Sequence, residues 1–399
     1  MSGVFITGHA MIGLLVPIAA ARAGVPPTGI GALMSAQFVL PFLLGIPIGG
    51  WLDRSKARTP MLISAALMVC VPWAAVAVPS VAGLLVVAVT AGLAQLTFVL
   101  AAQRLVASHG AGPAGERAFG WFSTFQSGGR MAGPLAAGVL VDLGGVAAGF
   151  AGSAAMYAAA MAGTLRTRRG PSPDRSHEVG TWRARARDQA GTLLANPGMR
   201  IALVVSCGVL MVHAVRQAFL PVYLESLAFS GTRIGMVMAT VGLASMLVRP
   251  FVAQVVRVFG SRSRSLIATV GFVVAGTAAV TFLHGFGPLL AAMVVVGVGS
   301  GITQPLSLAV VSDHVPRRML GFALGFRMTG NRAAQLVAPV ALGLVAEAAG
   351  VHWVFVGAGA LLLGGLPLLV RWRAPFEQDE GSLRQRRADA DRATGGRAP

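Results

Sequence analysis

Long apolar runs, broken by short polar clusters, set the pattern of this chain. Residues 23–52 contain no Asp, Glu, Lys or Arg, and neither do residues 59–103. The break between them, GGWLDRSKARTP at 49–60, packs its charges into one turn-sized segment. A helical apolar run of about 20 residues spans a bilayer core of roughly 30 Å. Breaking the chain at charge clusters, Pro and Gly predicts twelve such spans. The first six are 3–21, 28–50, 60–78, 81–107, 118–141 and 145–165. The second six are 199–223, 231–256, 264–283, 287–312, 319–345 and 351–370. The expected fold class is all-α, a polytopic membrane protein.

A polar stretch at 166–198 divides the spans into two sets of six. This predicts a six-helix bundle at 1–165, a linker at 166–198, a second bundle at 199–373 and a disordered polar tail at 374–399. Within the linker, Thr181 to Leu194 could form a short helix on the membrane surface or remain a solvated connection. The halves read as copies. A shift of 204 residues places His9 on His213, Pro17 on Pro221, Thr28 on Thr232, Ile30 on Ile234, Gly31 on Gly235 and Arg58 on Arg262. A shift of 205 then matches Pro134 with Pro339, Gly138 with Gly343, Asp142 with Glu347 and Gly145 with Gly350. Two pseudo-symmetric bundles about an axis along the membrane normal follow, the arrangement of parallel-repeat transporters.

Composition sharpens the class. Only 12% of residues are charged, against about 25% in a soluble domain, too few to cover a soluble surface. The net charge of +18 would suit nucleic acid, but its distribution argues otherwise. With residues within two positions of a span end counted with the loops, twenty-four of the 32 basic residues fall in loops or tails on one alternating side, with only Arg22 and Arg233 on the other and six inside spans. That is the positive-inside bias, so both termini are expected in the cytoplasm, in the cell's inner (plasma) membrane. The basic clusters would meet anionic lipid headgroups, and no nucleic-acid partner is expected. Cys70 and Cys207 lie in apolar runs and imply neither a disulfide framework nor a metal site. The first run lacks a basic leader and reads as a retained span.

Two motifs carry a resemblance. The run Gly49-Gly50-Trp51-Leu52-Asp53-Arg54-Ser55-Lys56-Ala57-Arg58 resembles the loop signature between helices 2 and 3 of the major facilitator superfamily. It departs from that signature where Ser55 or Ala57 replaces a second Gly. The run Gly129-Arg130-Met131-Ala132-Gly133-Pro134-Leu135-Ala136-Ala137-Gly138 is similar to the Gly-Pro signature of the family's antiporter, drug-efflux-like branch. The resemblance implies alternating access, and a cytoplasmic latch in which Asp53 meets the start of helix 11. The residues are suited to that. Gly50 permits close helix approach, and Asp53 would be favoured at a helix N-terminus. Arg54 and Arg58, with Lys56, either complete the latch or serve as topology anchors. Arg257 occupies the Asp53 position in the second half, so the latch would be one-sided. Gly129, Gly133, Pro134 and Gly138 read as a helix-packing motif with a kink.

Ionisable groups inside a bilayer are costly and mark pathways. The candidates for substrate binding or coupling are His9, Gln126, Arg130, His213, Arg216, Gln304, Arg327 and Asn331. Arg327, Asn331 and Gln335 share one helical stripe, and Gln126 and Arg130 form a similar pair. Arg104, Arg249 and Arg332, and Gln95 with Gln103, add to the set; the alternatives are that Arg104 snorkels to the cytoplasm and that Arg249 caps backbone carbonyls. All fourteen acidic residues lie in loops, tails or span ends. With no carboxylate at mid-bilayer, a coupling proton would fall to His9, His213, Asp53 or Asp142. The Arg that the family's antiporters often carry in helix 4 is absent, since Ala88 precedes Gly92 in that register. A cationic, unpaired cavity should prefer anionic substrates.

The expected function is therefore secondary active transport of a small organic compound, in the efflux direction, by a monomer without a cofactor. Uptake or exchange of an organic anion is the rival within the class. A non-transporting scaffold or receptor is the rival outside it. No metal-ligand cluster, nucleophile elbow or phosphate loop supports an enzyme; GVGSG at 297–301 reads as a packing pattern.

Overall fold

The computed structural model describes residues 1–53, 55–77, 80–107, 113–167, 190–316, 319–372 and 376–377. Arg54 of the predicted latch, linker residues 168–189 and tail residues 378–399 lie outside the described residues. Among the described residues every regular element is helical. The membrane helices are α1 (Ser2–Arg22), α2 (Pro27–Asp53), α3 (Arg58–Ala77), α4 (Val81–Ala107), α5 (113–143) and α6 (146–165). The second set is α7 (Pro197–Ser226), α8 (Gly231–Phe259), α9 (Arg262–Phe282), α10 (Phe286–His314), α11 (Leu320–Ala349) and α12 (Trp353–Trp372).

Eleven helices among the described residues are long and apolar enough to cross a membrane. The count is twelve once chain length is considered. Pro113–Leu165 runs for 53 residues, about 80 Å at 1.5 Å per residue, more than twice a bilayer core. Gly144 and Gly145 break its helical geometry, Gly145 with φ 73°, which divides it into α5 and α6. Gly350, with φ 100°, ends α11 at the matching position of the second half. Both positions lie in the left-handed region that glycine reaches without steric cost. The repeat thus shows as matched turns as well as matched letters.

Where the predicted spans held single helices, proline divides some of them. α3 breaks at Pro72, and α8 narrows to a 3-10 turn at Arg249–Phe251 around Pro250. Proline removes a backbone donor and kinks the helix, which neighbouring helices tolerate inside a membrane. In the first half, Phe5 of α1 stacks on Phe98 of α4 at 3.9 Å and meets Tyr157 of α6 edge-on at 5.0 Å. In α10, a Cβ on Gly299 would lie 2.6 Å from the Thr269 carbonyl of α9. The GVGSG run lets these backbones touch, as small residues do between membrane helices.

The α1 start, the α6 end, the α7 start and the α10 end share one end of the molecule, here the terminal end. Arg58 at the start of α3 donates to the Leu165 carbonyl at 2.6 Å, and Asn196 Nδ2 donates to the His314 carbonyl at 3.0 Å. At the opposite, far end the two halves meet.

Candidate functional site

Four arginines from four helices gather where the halves face each other. They are Arg130 of α5, Arg216 of α7, Arg249 of α8 and Arg332 of α11. The charges of Arg249 and Arg332 act on Arg130. His9 of α1 feels Arg130 and Arg332, and His213 of α7 feels Arg216, Arg130 and His9. The two symmetry-related histidines are thus within electrostatic reach of one another. Arg130 and His213 keep exposed surface although they lie at mid-helix, so their polar atoms stay open to a ligand. His9, Gln126 and Arg216 are buried.

The hydrogen bonds define the chemistry on offer. Arg216 Nη2 donates to His213 Nδ1 at 3.0 Å; a guanidinium has no acceptor, so His213 Nδ1 accepts and carries no proton while that bond stands. Arg249 Nη1 donates to Ser127 Oγ of α5 at 2.8 Å, across the two halves. Arg249 thus bonds a hydroxyl across the two halves, not the backbone carbonyl that was its alternative role. Arg332 Nη1 reaches Gln335 Oε1 of its own helix at 3.4 Å, and its guanidinium lies 5.8 Å from the Phe38 ring of α2. Arg130 has no hydrogen-bond partner among the described residues. His9 Nδ1, Gln126 Nε2 and Arg216 Nε are buried and unpartnered. The described carboxylates with placed side chains, Asp142, Glu225, Asp313, Glu347 and Glu377, all lie near helix ends or in the tail.

Arg327 belongs to a second polar group, inside the second half. Its Nη2 donates to Ser307 Oγ at 2.7 Å and to Gln304 Oε1 at 3.2 Å, both on α10. Arg327 Nε and Gln304 Nε2 are left without partners. Asn331 accepts from Ser206 Oγ of α7 at 2.5 Å. The stripe Arg327–Asn331–Gln335 thus ties α11 to α10 and α7, and Arg332, one position round the helix, is the α11 residue whose charge reaches the central cluster.

The far end is shut by contacts between the halves. Asp142 of α5 accepts from the backbone amides of Gly231 at 2.6 Å and Thr232 at 2.8 Å and from Thr232 Oγ1 at 2.6 Å. The first amides of a helix have no partner within it, and Asp142 supplies one to α8. Arg22 of α1 pairs with Glu225 of α7 at 2.6 Å. Glycines let the backbones touch there: a Cβ on Gly31 would overlap the Pro339 carbonyl, and one on Gly235 would overlap the Pro134 carbonyl. Gly138 faces Gly231 in the same way. Gly31 with Pro339 and Gly235 with Pro134 are one Gly–Pro contact made twice, the repeat copies exchanging roles between the halves.

The sequence model described as Major Facilitator Superfamily matches residues 1–285 and 217–390. The chain belongs to this family. A curated relative, the uncharacterised MFS-type transporter Rv1250 of Mycobacterium tuberculosis, is 36% identical over 97 residues. That match covers 24% of this chain and 17% of the relative's length. A bacterial homologue of the human lysosomal transporter Spinster, crystallised inward-facing and unoccupied, superposes with a TM-score of 0.74 at 14% identity. It covers 95% of this chain and 97% of that one. A variant of the nucleoside transporter NupG gives a TM-score of 0.74 at 15% identity, over 93% of this chain and 98% of that one. These likenesses establish the fold: an all-α, multi-pass major facilitator protein.

In this facilitator the motif residues fall into distinct places. Gly50 and Asp53 lie in the last turns of α2. Arg58 is drawn to the Leu165 carbonyl within its own half, and its symmetry mate Arg262 pairs with Asp313 at 2.6 Å. Arg104 donates to the Leu52 carbonyl, closing the α2 C-terminus. Gly129 and Gly133 bring α5 against Gly3, Thr7 and Ala10 of α1. Sequence reasoning missed the far-end partners of Gly31, Gly235 and Asp142; the copied positions were the available signal.

Replacing Asp142 with Ala should loosen the far end, since losing such a cap costs about 0.5–2 kcal/mol. With Cys70 and Cys207 replaced by Ala, a cysteine at Gln217 should be labelled several-fold faster by a membrane-impermeant thiol reagent from that side. Unchanged labelling would exclude Asp142 as a closure contact.

Proposed function

We propose that this facilitator is a secondary active transporter that moves a small organic anion out of the cytoplasm by alternating access. The terminal end faces the cytoplasm, where the basic loops belong under the positive-inside rule, and the cell (plasma) membrane is its site. The observation that carries the reading is the central cluster: four arginines from both halves, with no described carboxylate placed among them. Guanidinium groups keep their charge in proteins and bind carboxylates and phosphates in paired geometry. A neutral or cationic cargo would leave those charges uncompensated in a site that must exclude water. The far end is shut in this structure, so cytosolic anions would meet the cluster from the terminal end, the direction of export. The two halves, 1–165 and 199–373, act as the rocking units, and the protein works as a monomer.

The test uses inside-out membrane vesicles from expressing cells, with labelled anionic, neutral and cationic compounds of similar size, with and without a proton gradient. Expected is accumulation of anions above vesicles lacking the protein. Movement restricted to neutral or cationic compounds would contradict the proposal. The gradient arm tests whether protons are the coupling ion.

A further inference from the structure

We propose that the central cavity closes only around an anion bearing at least two negative charges, so that export runs as an exchange of anions. The inference rests on the transporter reading above and goes further, to the valence of the cargo and the source of coupling. Arg249 reaches Ser127, one helical turn from Arg130 on α5, and Arg216 bonds His213 of its own helix. The charges of Arg249 and Arg332 act on Arg130, and each guanidinium is permanently charged. Closing the cavity would expel water and strengthen their mutual repulsion, which grows as the local dielectric falls. A single carboxylate would leave most of that charge standing. A dicarboxylate or phosphate monoester offers two or more charges and several acceptor oxygens to a site rich in donors.

The unpartnered atoms point the same way. Gln126 Nε2 and Arg216 Nε are donors without acceptors, on residues 8% and 5% exposed. Arg130 has all its donors free among the described residues. An imidazole is neutral or cationic, so the histidine pair supplies no compensating negative charge, and His213 Nδ1 is already bonded to Arg216. The arginines come from both halves: Arg130 from the first, and Arg216, Arg249 and Arg332 from the second. A dianion can therefore neutralise charge from both sides at once, and drawing the halves together around it is what an occluded state requires. The empty cavity has nothing to offset the repulsion, so the carrier would return quickly only with a second anion.

The experiment has two arms on the purified full chain. In detergent at constant ionic strength, thermal unfolding is followed with matched probes: succinate against butyrate, phthalate against benzoate, and phenyl phosphate against benzenesulfonate. The dianions should protect with half-saturation at least about tenfold lower than their partners, and the Arg130→Gln, Arg332→Gln double variant should lose that preference. In liposomes, efflux of the preferred labelled dianion should rise about tenfold when the same dianion is present on the opposite side. Equal protection by monoanions, no protection by any anion, or efflux indifferent to the opposite side would overturn the inference. Net transport of a monoanion would leave the transporter reading standing and sink only this one; vesicle transport confined to neutral or cationic compounds would sink the anion reading beneath it.

Discussion

Replacing Arg130 with Ala is expected to cut transport about ten- to hundredfold while the protein stays folded and inserted. The Arg130 side chain is exposed, has no hydrogen-bond partner among the described residues, and lies under the like charges of Arg249 and Arg332. Its removal orphans no neighbour and relieves repulsion, so thermal stability should be unchanged or slightly higher. Transport loses a charge-assisted contact of about 1.5–3 kcal/mol, a ten- to hundredfold fall in rate at limiting substrate. Arg327→Ala should also impair transport severely, for a different reason. Arg327 is 8% exposed and bonded to Ser307 and Gln304, so its loss leaves two polar partners exposed to a buried void. It should lower the unfolding temperature by a few degrees as well, as losses of about 1–3 kcal/mol do. Transport rates in vesicles and unfolding curves in detergent check both variants. Wild-type transport in each would remove the arginines from the mechanism.

The second large effect separates two kinds of glycine. A Cβ on Gly133 would lie 2.5 Å from the Ala10 Cβ and 2.6 Å from the Thr7 carbonyl oxygen, both on α1 of the same half. That contact belongs to the body of the first bundle. Gly133→Val should overpack it in every conformation, at about 1–3 kcal/mol or more, and the yield of folded protein should fall. Gly31 meets the Pro339 carbonyl of the other half, a contact needed only while the far end is shut. Gly31→Val should leave folded yield near wild type yet hold the far end open, with transport lost and the Gln217→Cys label reached readily from that side. Size-exclusion profiles measure the first outcome and thiol labelling the second. If both variants behaved alike, the assignment of these glycines to separate interfaces would be wrong.

Much of the architecture was legible from periodicity. The apolar runs located all twelve spans because a bilayer demands a fixed length of apolar helix, and the offset of about 204 residues exposed the repeat. The central residues were legible as types. An arginine within an apolar run is costly enough to stand out, and Arg130, Arg216 and Arg249 did. Partners were not legible. Nothing local to Arg249 shows that it crosses to Ser127 of the other half, and nothing near Arg58 marks the Leu165 carbonyl as its acceptor. Such pairings join residues more than a hundred positions apart, and only the folded backbone brings them together. Asn331 illustrates the limit: its stripe with Arg327 was visible, but its bond to Ser206 of α7 depends on how α11 rotates against α7. Asp142 stood out only as an acid at a span end, and its role at the start of α8 required the two halves to be docked.

The central claim is that two helical halves rock about a cationic pocket, one end closing as the other opens. Spin labels at Ala23→Cys and Ala228→Cys report the far end, and labels at Thr59→Cys and Gly321→Cys report the terminal end. Each pair is placed in a background with Cys70 and Cys207 replaced by Ala. Pulsed dipolar distances in lipid, with and without transported anion, should change reciprocally, the far-end pair lengthening in the population where the terminal-end pair shortens. Distances that move together at both ends, or stay fixed at both while transport proceeds, would contradict the account.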